Sequence, residues 1–386
     1  MTIGIDITPL LFWGTGVANY TYQLVKNLLK IDKKNQYKLF FASLKNKNYY
    51  PFLEEFKNLG AKIYHYKIPF KLLEFLWQKN NLIPVDRLIG KCDLIYANDY
   101  LRSPSKTKTI TTIHDLTWKL FPEYHTKTVI SAHEKKLEKT IKYSDEIIVD
   151  SENTKKDLLR LYPQINNQKV HVIYPGISEA FKPIKNQKKI EEVIKKYLKS
   201  FKFHVSSFIL YVGAIEPRKN LDLAIEVFNQ FISPKHKQPV RLTKKPDRLN
   251  NDWHFFIIGR AGWKNEKIFQ LVKNLKLENR VHFLGFVDDD DLPYFYSGAK
   301  LTLYLSSYEG FGLPPLESLA CDTPVLAGNN SSMKETLDKQ FLVDIKNREK
   351  ILEKMTQLIF TPPKINFLKI KEKFSWQNAA EKFLTI

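Results

Sequence analysis

Residues 207–231 read SFILYVGAIEPRKNLDLAIEVFNQF. Ser207–Val212 is a short apolar run and reads as a strand. A glycine turn closes it, and Asn220–Phe231 follows as a helix. The same alternation continues downstream. Strands are expected at His254–Ile258, Val281–Leu284, Leu301–Leu305 and Pro324–Ala327. Helices are expected at Glu266–Leu275, Leu292–Ser297 and from Pro315 to Ala320. It also runs upstream. Ile3–Ile7 reads as a first strand, Pro9 to Gly16 as a loop, and Val17–Leu29 as a helix with Val17, Leu24, Val25, Leu28 and Leu29 on one stripe. Further strands are expected at Tyr37–Ala42, Lys62–Tyr66, Leu94–Ala97, Lys108–Ile113, Glu146–Asp150 and Val170–Tyr174. Ser151–Tyr162 reads as a helix capped by Ser151. Residues 178–206 read as a linker with a basic helix. Strands alternating with helices imply βαβ units and parallel sheets. The chain therefore reads as α/β, with two doubly wound Rossmann-like domains and a boundary near residue 180. Such a pair is expected to bind its ligand in a central cleft, at the carboxyl ends of the strands.

The composition agrees. The chain has 386 residues, 43% hydrophobic and 26% charged, which excludes wholesale disorder, collagen and coiled coil. No apolar run reaches the length of a membrane-spanning helix. The start, MTIGIDITPLLFWGTG, lacks a basic segment and a cleavage site, so it reads as a strand and not as a signal peptide. Cys92 and Cys321 are the only cysteines; they cannot make a metal cluster, and a reducing cytoplasm is the expected compartment. The net charge of +20 admits nucleic acid, a membrane surface or an anionic small molecule as partner. The surplus is spread over both halves, whereas a nucleic-acid module would concentrate it. Ser233–Asp252 interrupts the rhythm with a polar, basic stretch, read as a solvated insertion or as a contact for anionic lipid or a partner.

The densest chemical signal is Glu309-Gly-Phe-Gly-Leu-Pro-Pro-Leu-Glu317. Two carboxylates flank Gly310 and Gly312, which permit close backbone approach. Phe311 and Leu313 lie within the string. Pro314 and Pro315 suit a helix's first turn, and the free N–H groups there suit an anionic oxygen. Taken singly, each glutamate reads as a solvated side chain; the string as a whole does not. Arg218 and Lys219 follow a strand end, where two cations can neutralise a diphosphate or simply face water. Gly14-Thr-Gly16 precedes the first helix and reads as a turn or as a phosphate-facing loop. His114 closes a strand and can bond a ligand hydroxyl, with Asp115 placed to orient its ring or touch a second ligand. Asn98-Asp99 is a further polar candidate at a strand end, or a turn. Val287 and Leu292 bracket the acidic run Asp288–Asp291, which reads as a helix-capping turn and only nominally matches a metal-holding D-x-D. Phe70-Lys-Leu-Leu-Glu-Phe-Leu-Trp77, with Lys71 and Lys79, reads either as a packed helix or as an interfacial segment.

The 309–317 string after a strand resembles the E-x7-E motif of the family 4 retaining glycosyltransferases, which have the two-domain GT-B fold. Tyr211–Asn220, Phe256–Gly259, Val281–Val287 and Phe374-Ser-Trp376 resemble further stretches of that family, so the likeness covers nearly the whole chain. Ile113-His114-Asp115-Leu116 and Tyr174-Pro-Gly-Ile177 look mannosyltransferase-like. The resemblance implies an acceptor-side domain at 1–180, a nucleotide-sugar domain at 181–365, and a last helix at 366–386 crossing back to the first domain. It implies His114, Glu309, Arg218 and Lys219 as catalytic residues, with His114 near the donor sugar. Gly14, Gly16, Val287, Leu292, Gly310, Phe311, Gly312, Leu313 and Glu317 would join Arg218 and Lys219 in holding the donor. Glu309 would bond sugar hydroxyls and Glu317 the ribose. Neither a resident cofactor nor a metal is implied. The donor substrate would be GDP-mannose or a UDP-sugar, the acceptor a saccharide or lipid-linked glycan. An anionic membrane surface, on the inner face of the plasma membrane, is a candidate partner. The competing readings are a catalytically silent sugar-nucleotide-binding subunit, a GT-B nucleotide-sugar epimerase, and a basic nucleic-acid-binding protein; the last lacks any recognition helix or stacking motif.

Overall fold

In the computed structural model, the described residues are 1–45, 50–79, 82–98, 103–198, 207–233, 252–262 and 265–386. The chain divides into two compact units, Met1–Gly176 with Phe374–Ile386, and Ile177–Lys373.

Among the described residues of the first unit lies a parallel sheet of seven strands: β1 (Thr2–Asp6), β2 (Gln36–Ala42), β3 (Lys62–Tyr66), β4 (Leu94–Ala97), β5 (Lys108–Ile113), β6 (Glu146–Val149) and β7 (Val170–Val172). Their spatial order is 3-2-1-4-5-6-7. β1 therefore has β2 on one side and β4 on the other. That reversal is the topological switch point of a doubly wound sheet. The strands are near-continuous apolar runs because helices cover both faces. One layer is the helix Gly16–Ile31, which buries Ala18, Leu24, Val25 and Leu28 and is capped by Thr15 accepting from the Ala18 N–H at 3.3 Å. The closing helix Trp376–Phe383 joins the same core. Trp376 packs edge-on to Tyr20 and Phe383 to Tyr96. Gly176 lies against that helix, where a Cβ would meet the Trp376 backbone nitrogen at 2.1 Å.

The second unit repeats the topology. Its described residues form a six-stranded parallel sheet of β8 (Ser207–Val212), β9 (Trp253–Ile258), β10 (Val281–Gly285), β11 (Leu301–Tyr304), β12 (Val325–Gly328) and β13 (Leu342–Val343), ordered 10-9-8-11-12-13. β8 and β11 flank its switch point. The expected basic helix is Gln187–Tyr197. Most of the Ser233–Asp252 insertion lies outside the described residues. Features beyond the expectation from sequence include the short helix Met333–Thr336, the two-residue β13, and the helix Arg348–Phe360, which buries Ile351, Met355 and Leu358.

The closing helix gives a direct test of the first core. Phe383→Ala removes a buried ring and should cost about 3–5 kcal/mol of unfolding free energy. Denaturant unfolding should show an earlier transition, with Trp376 fluorescence reporting it.

Candidate functional site

The second unit assembles its charged site at the carboxyl ends of β8 and β11. After β8 the chain runs beside the segment following β9, held by the Gly213 N–H on the Ile258 carbonyl and the Ile215 N–H on that of Arg260. A short 3₁₀ turn, Pro217–Lys219, ends at Asn220, whose backbone is left-handed with φ 49°. Asparagine tolerates that region. Its amide donates to the Leu305 carbonyl at 2.9 Å and to Ser307 Oγ at 2.8 Å. The Ser307 N–H in turn donates to the Arg218 carbonyl at 2.8 Å. The two strand ends are thus stitched together before any side chain of the site is placed.

Four charges then pair. Lys219 Nζ lies 2.6 Å from Glu309 Oε1, and Arg218 Nη1 lies 2.9 Å from Glu309 Oε2. Arg218 Nε lies 2.7 Å from Glu216 Oε1. Lys219 also donates to the Tyr304 hydroxyl at 2.9 Å, and Arg218 to the Tyr308 carbonyl at 3.1 Å. Two cations and two carboxylates balance formally. Burial alone would raise the Glu309 pKa, but Lys219 and Arg218 outweigh it and hold the carboxyl at about 2. Burial, then Arg218, pushes Lys219 below its ordinary range, against the pull of Glu309 and Glu216. Lys219 is buried and Arg218 half-buried, and both are arranged around one carboxylate.

The Glu309–Glu317 string folds as its spacing suggests. Gly312 occupies a left-handed conformation (φ 89°) and caps the helix Leu313–Ala320, with prolines in the first turn. The left-handed backbone is what favours glycine there; a Cβ would meet Met333 Cε at 2.1 Å, the movable end of that side chain. Ser332 Oγ lies between the carbonyls of Glu309 and Phe311, at 3.0 and 2.9 Å, and shares its one hydrogen with them. Ser331 Oγ accepts from the Glu309 N–H at 3.0 Å. Leu313 is half-buried at the helix start, while Gly310 and Phe311 are buried. Glu317 takes a separate environment. It is buried, accepts from the Tyr296 hydroxyl at 2.9 Å, and sits near Asp289. Burial, reinforced by Asp289 and opposed by Tyr296, raises its pKa from 4.5 to about 7. The two glutamates of the string thus have opposite electrostatic character: one a paired anion, the other able to hold a proton near neutrality.

Val287 and Leu292 are buried beyond the end of β10. The intervening acidic run departs from the expected capping role. Asp291 stands before the helix Leu292–Gly298 without capping it through its side chain. It accepts instead from the Tyr197 hydroxyl at 2.8 Å, with Lys196 at 3.6 Å.

The first unit gathers a second polar group at the ends of β4, β5 and β6. His114 Nδ1 lies 2.7 Å from Asp150 Oδ2, and its Nε2 lies 3.2 Å from Asn98 Oδ1. Tyr20 packs edge-on to the ring. Asp150, and not Asp115, orients the imidazole. Asp115 is occupied locally, accepting from the Thr117 N–H at 3.0 Å and hydroxyl at 2.7 Å. Asp99 lies outside the described residues. Gly14 has φ 85°, and Gly16 opens the first helix with no atom within 4 Å of a built Cβ. The segment Phe70–Trp77 divides its faces: Leu73 and Trp77 are buried, whereas Leu72 and Phe75 are exposed. Among the described residues no helix is long and apolar enough to cross a membrane.

Sequence reasoning missed Glu216, Asp150 and the tyrosines. Glu216 stood two residues before Arg218, and Asp150 ended a strand directly before the Ser151 cap; both were visible as carboxylates at strand or loop ends. Tyr296 and Tyr304 carried no such signal.

Two doubly wound parallel sheets, one with an Arg-Lys-Glu network at its switch point, define a GT-B type of fold. The comparisons agree. The model of the Glycosyltransferase Family 4 domain matches residues 14–181, and that of glycosyl transferases group 1 matches residues 193–375. The chain belongs to this glycosyltransferase family. The O-antigen chain mannosyltransferase B of Escherichia coli is 27% identical over 357 residues, covering 89% of this chain and 86% of that protein. The mouse alpha-1,3/1,6-mannosyltransferase ALG2 is 25% identical over 247 residues, 61% of this chain and 51% of that one. The crystal structure of Anabaena Alr3699/HepE in complex with UDP and glucose superposes with a TM-score of 0.70 at 17% identity, covering 100% of this chain and 98% of that chain, which shows the shared fold.

Two expectations follow from the electrostatics. Glu309→Ala leaves Lys219 buried without its carboxylate, while Arg218 keeps Glu216, and should destabilise the second unit by about 3–5 kcal/mol. Glu317 behaves oppositely. Its folded pKa lies above the unfolded value, so its stabilising contribution is present below about pH 4.5 and is lost as pH rises towards about 7. Glu317→Gln removes that loss. Its melting temperature relative to the parent should therefore rise between pH 5 and pH 8; a difference independent of pH would contradict the assignment.

Proposed function

We propose that the chain transfers a hexose, mannose foremost, from a nucleotide diphosphate sugar to a hydroxyl of a saccharide or lipid-linked acceptor, with retention of anomeric configuration and without a metal ion. The observation that carries this reading is the paired network of Arg218, Lys219 and Glu309 at the switch point of the second sheet. Departure of a nucleoside diphosphate builds negative charge on its β-phosphate, and two preorganised, desolvated cations are suited to stabilise it. An arriving diphosphate competes with Glu309 for those cations. Glu309 is thereby freed to accept hydrogen bonds from sugar hydroxyls. Glu317 would face the ribose and His114 the donor sugar. A double displacement needs a carboxylate nucleophile on the opposite ring face. With Glu309 engaged by the sugar hydroxyls, the reading takes a same-face attack in which the β-phosphate oxygen takes the acceptor's proton. Mannose is favoured by the relatives named as mannosyltransferases; the UDP and UDP-glucose complexes of the Anabaena protein keep a UDP-sugar in the panel.

The exposed Leu72 and Phe75, beside Lys71, fit an anionic membrane surface as partner. Flotation with vesicles containing anionic lipid at low salt should succeed and should be lost in Leu72→Asp/Phe75→Asp; no flotation of the parent would remove the membrane from the proposal.

The function is tested with a donor panel in EDTA: GDP-mannose, GDP-fucose, UDP-glucose, UDP-galactose, UDP-N-acetylglucosamine and ADP-glucose. One donor should raise the melting temperature and be slowly hydrolysed. Lys219→Ala should abolish both effects while the folded fraction persists, since Arg218 still pairs with Glu309. No response to any donor would favour a silent binding subunit.

A further inference from the structure

Among the described residues Trp13 is the largest exposed apolar side chain, at 42%. It stands in the loop after β1, yet it is held rigidly. Its indole lies parallel to the Phe52 ring, at 6.0 Å with 5° between the planes, and meets Tyr22 edge-on at 5.4 Å. Phe52 is buried, and Tyr22 packs on buried Phe56 at 5.7 Å. The loop is pinned by Pro9 and Leu10, both buried, and by Phe12, edge-on to Phe70 at 5.1 Å. The indole is therefore a plate with little rotamer freedom left to lose on binding. The polar groups beside it are paired. The Tyr22 hydroxyl donates to Glu55 Oε2 at 2.6 Å, Lys26 Nζ lies 2.8 Å from Glu55 Oε1, and Lys26 donates to the Tyr22 oxygen at 3.1 Å. The Lys26 and Glu55 charges cancel; Lys30 acts on Glu55 only at longer range.

A flat aromatic plate with an uncharged hydrogen-bonding rim suits a neutral sugar ring. The C–H face of a pyranose meets the negative π-face of the indole, and its hydroxyls meet the rim. An anionic headgroup finds no surplus charge in the Lys26–Glu55 pair. The exposed Leu72 and Phe75 lie on the segment that Phe70 opens, which makes a membrane the rival occupant of the plate. Position sets the length of the ligand. Trp13 follows β1, and Phe52 and Glu55 lie on the helix Pro51–Asn58 after β2, whereas His114 follows β5. In the order 3-2-1-4-5, β5 is two strand spacings from β1 and three from β2, about 10–14 Å. One pyranose ring does not bridge that distance; a chain of two or three does. We propose that Trp13 is a saccharide-stacking subsite of the first unit, and that it holds a neutral ring two or three sugars back from the hydroxyl that reacts. That this saccharide is the acceptor rests on the transferase reading; the stacking site does not. The acceptor is then a glycan already elongated by several sugars, and not a lone sugar or a lipid phosphate.

The test titrates the full chain, without donor, with mannotetraose, maltotetraose, cellotetraose and chitotetraose, read by saturation-transfer NMR of the sugar protons. One tetraose should bind, with saturation strongest on the C–H protons of one ring. Trp13→Ala should weaken that binding by about tenfold, and Trp13→Tyr should restore most of it. Both variants should unfold at the parent's denaturant midpoint, since the indole is exposed. No tetraose bound by the parent, or equal binding by the parent and folded Trp13→Ala, would overturn the proposal. Vesicle flotation lost in Trp13→Ala without any saccharide binding would assign the plate to a membrane and overturn it too. With the donor that the panel identifies and the bound tetraose as acceptor, Trp13→Ala should raise the acceptor KM and leave kcat and the donor KM unchanged. A bound tetraose that is not elongated would remove the acceptor assignment. A tetraose held through Trp13 by a chain that takes no donor would keep the subsite and remove the transferase reading instead.

Discussion

The pairing of Glu309 with Lys219 and Arg218 is the constraint around which the second unit is organised. The three side chains come from strand ends 90 residues apart in sequence, brought side by side by the order of the sheet. Each charge is too deeply buried to stand alone. Removing a carboxylate and two cations from water costs several kcal/mol apiece, and only close pairing with further hydrogen bonds offsets it. The bonds from Tyr304, Tyr308, Ser331 and Ser332 supply those, at the side chains or at the adjoining backbone. Asn220 and Gly312 hold the two loops at the separation the pairing needs.

This arrangement explains how a site without ligand can be stable and still receptive. A pair of desolvated cations with no anion nearby would be costly to fold. Glu309 satisfies them in the folded chain, at 2.6 and 2.9 Å. Glu317 complements it from a distance. Burial holds its carboxyl near neutrality, where Glu309 is kept ionised by its cations.

Much of this was legible in the sequence, for physical reasons that differ by feature. Parallel strands buried on both faces read as continuous apolar runs, so β8, β9 and β11 were located to within a residue or two. The residues Arg218, Lys219 and Glu309 stand in compact strings with glycine and proline, whose backbone demands leave a mark. β13 was not legible, because two residues carry no periodicity. Asp150 was passed over in favour of Asp115, the immediate neighbour of His114. Adjacency in sequence places side chains of an extended segment on opposite sides, whereas adjacency in the sheet places Asp150 beside the ring. The roles of Tyr296 and Tyr304 depend on the same kind of lateral neighbourhood, which a linear reading does not contain.

The two polar groups are assembled by the same logic. In the second unit, the cations of one strand end are matched by a full carboxylate from the strand end beside it. In the first, the His114 ring is bracketed by the Asp150 carboxylate and the uncharged Asn98 amide, each carried by a neighbouring strand. In both units the lateral order of the sheet, and not adjacency along the chain, brings the polar groups together at the carboxyl ends of the strands.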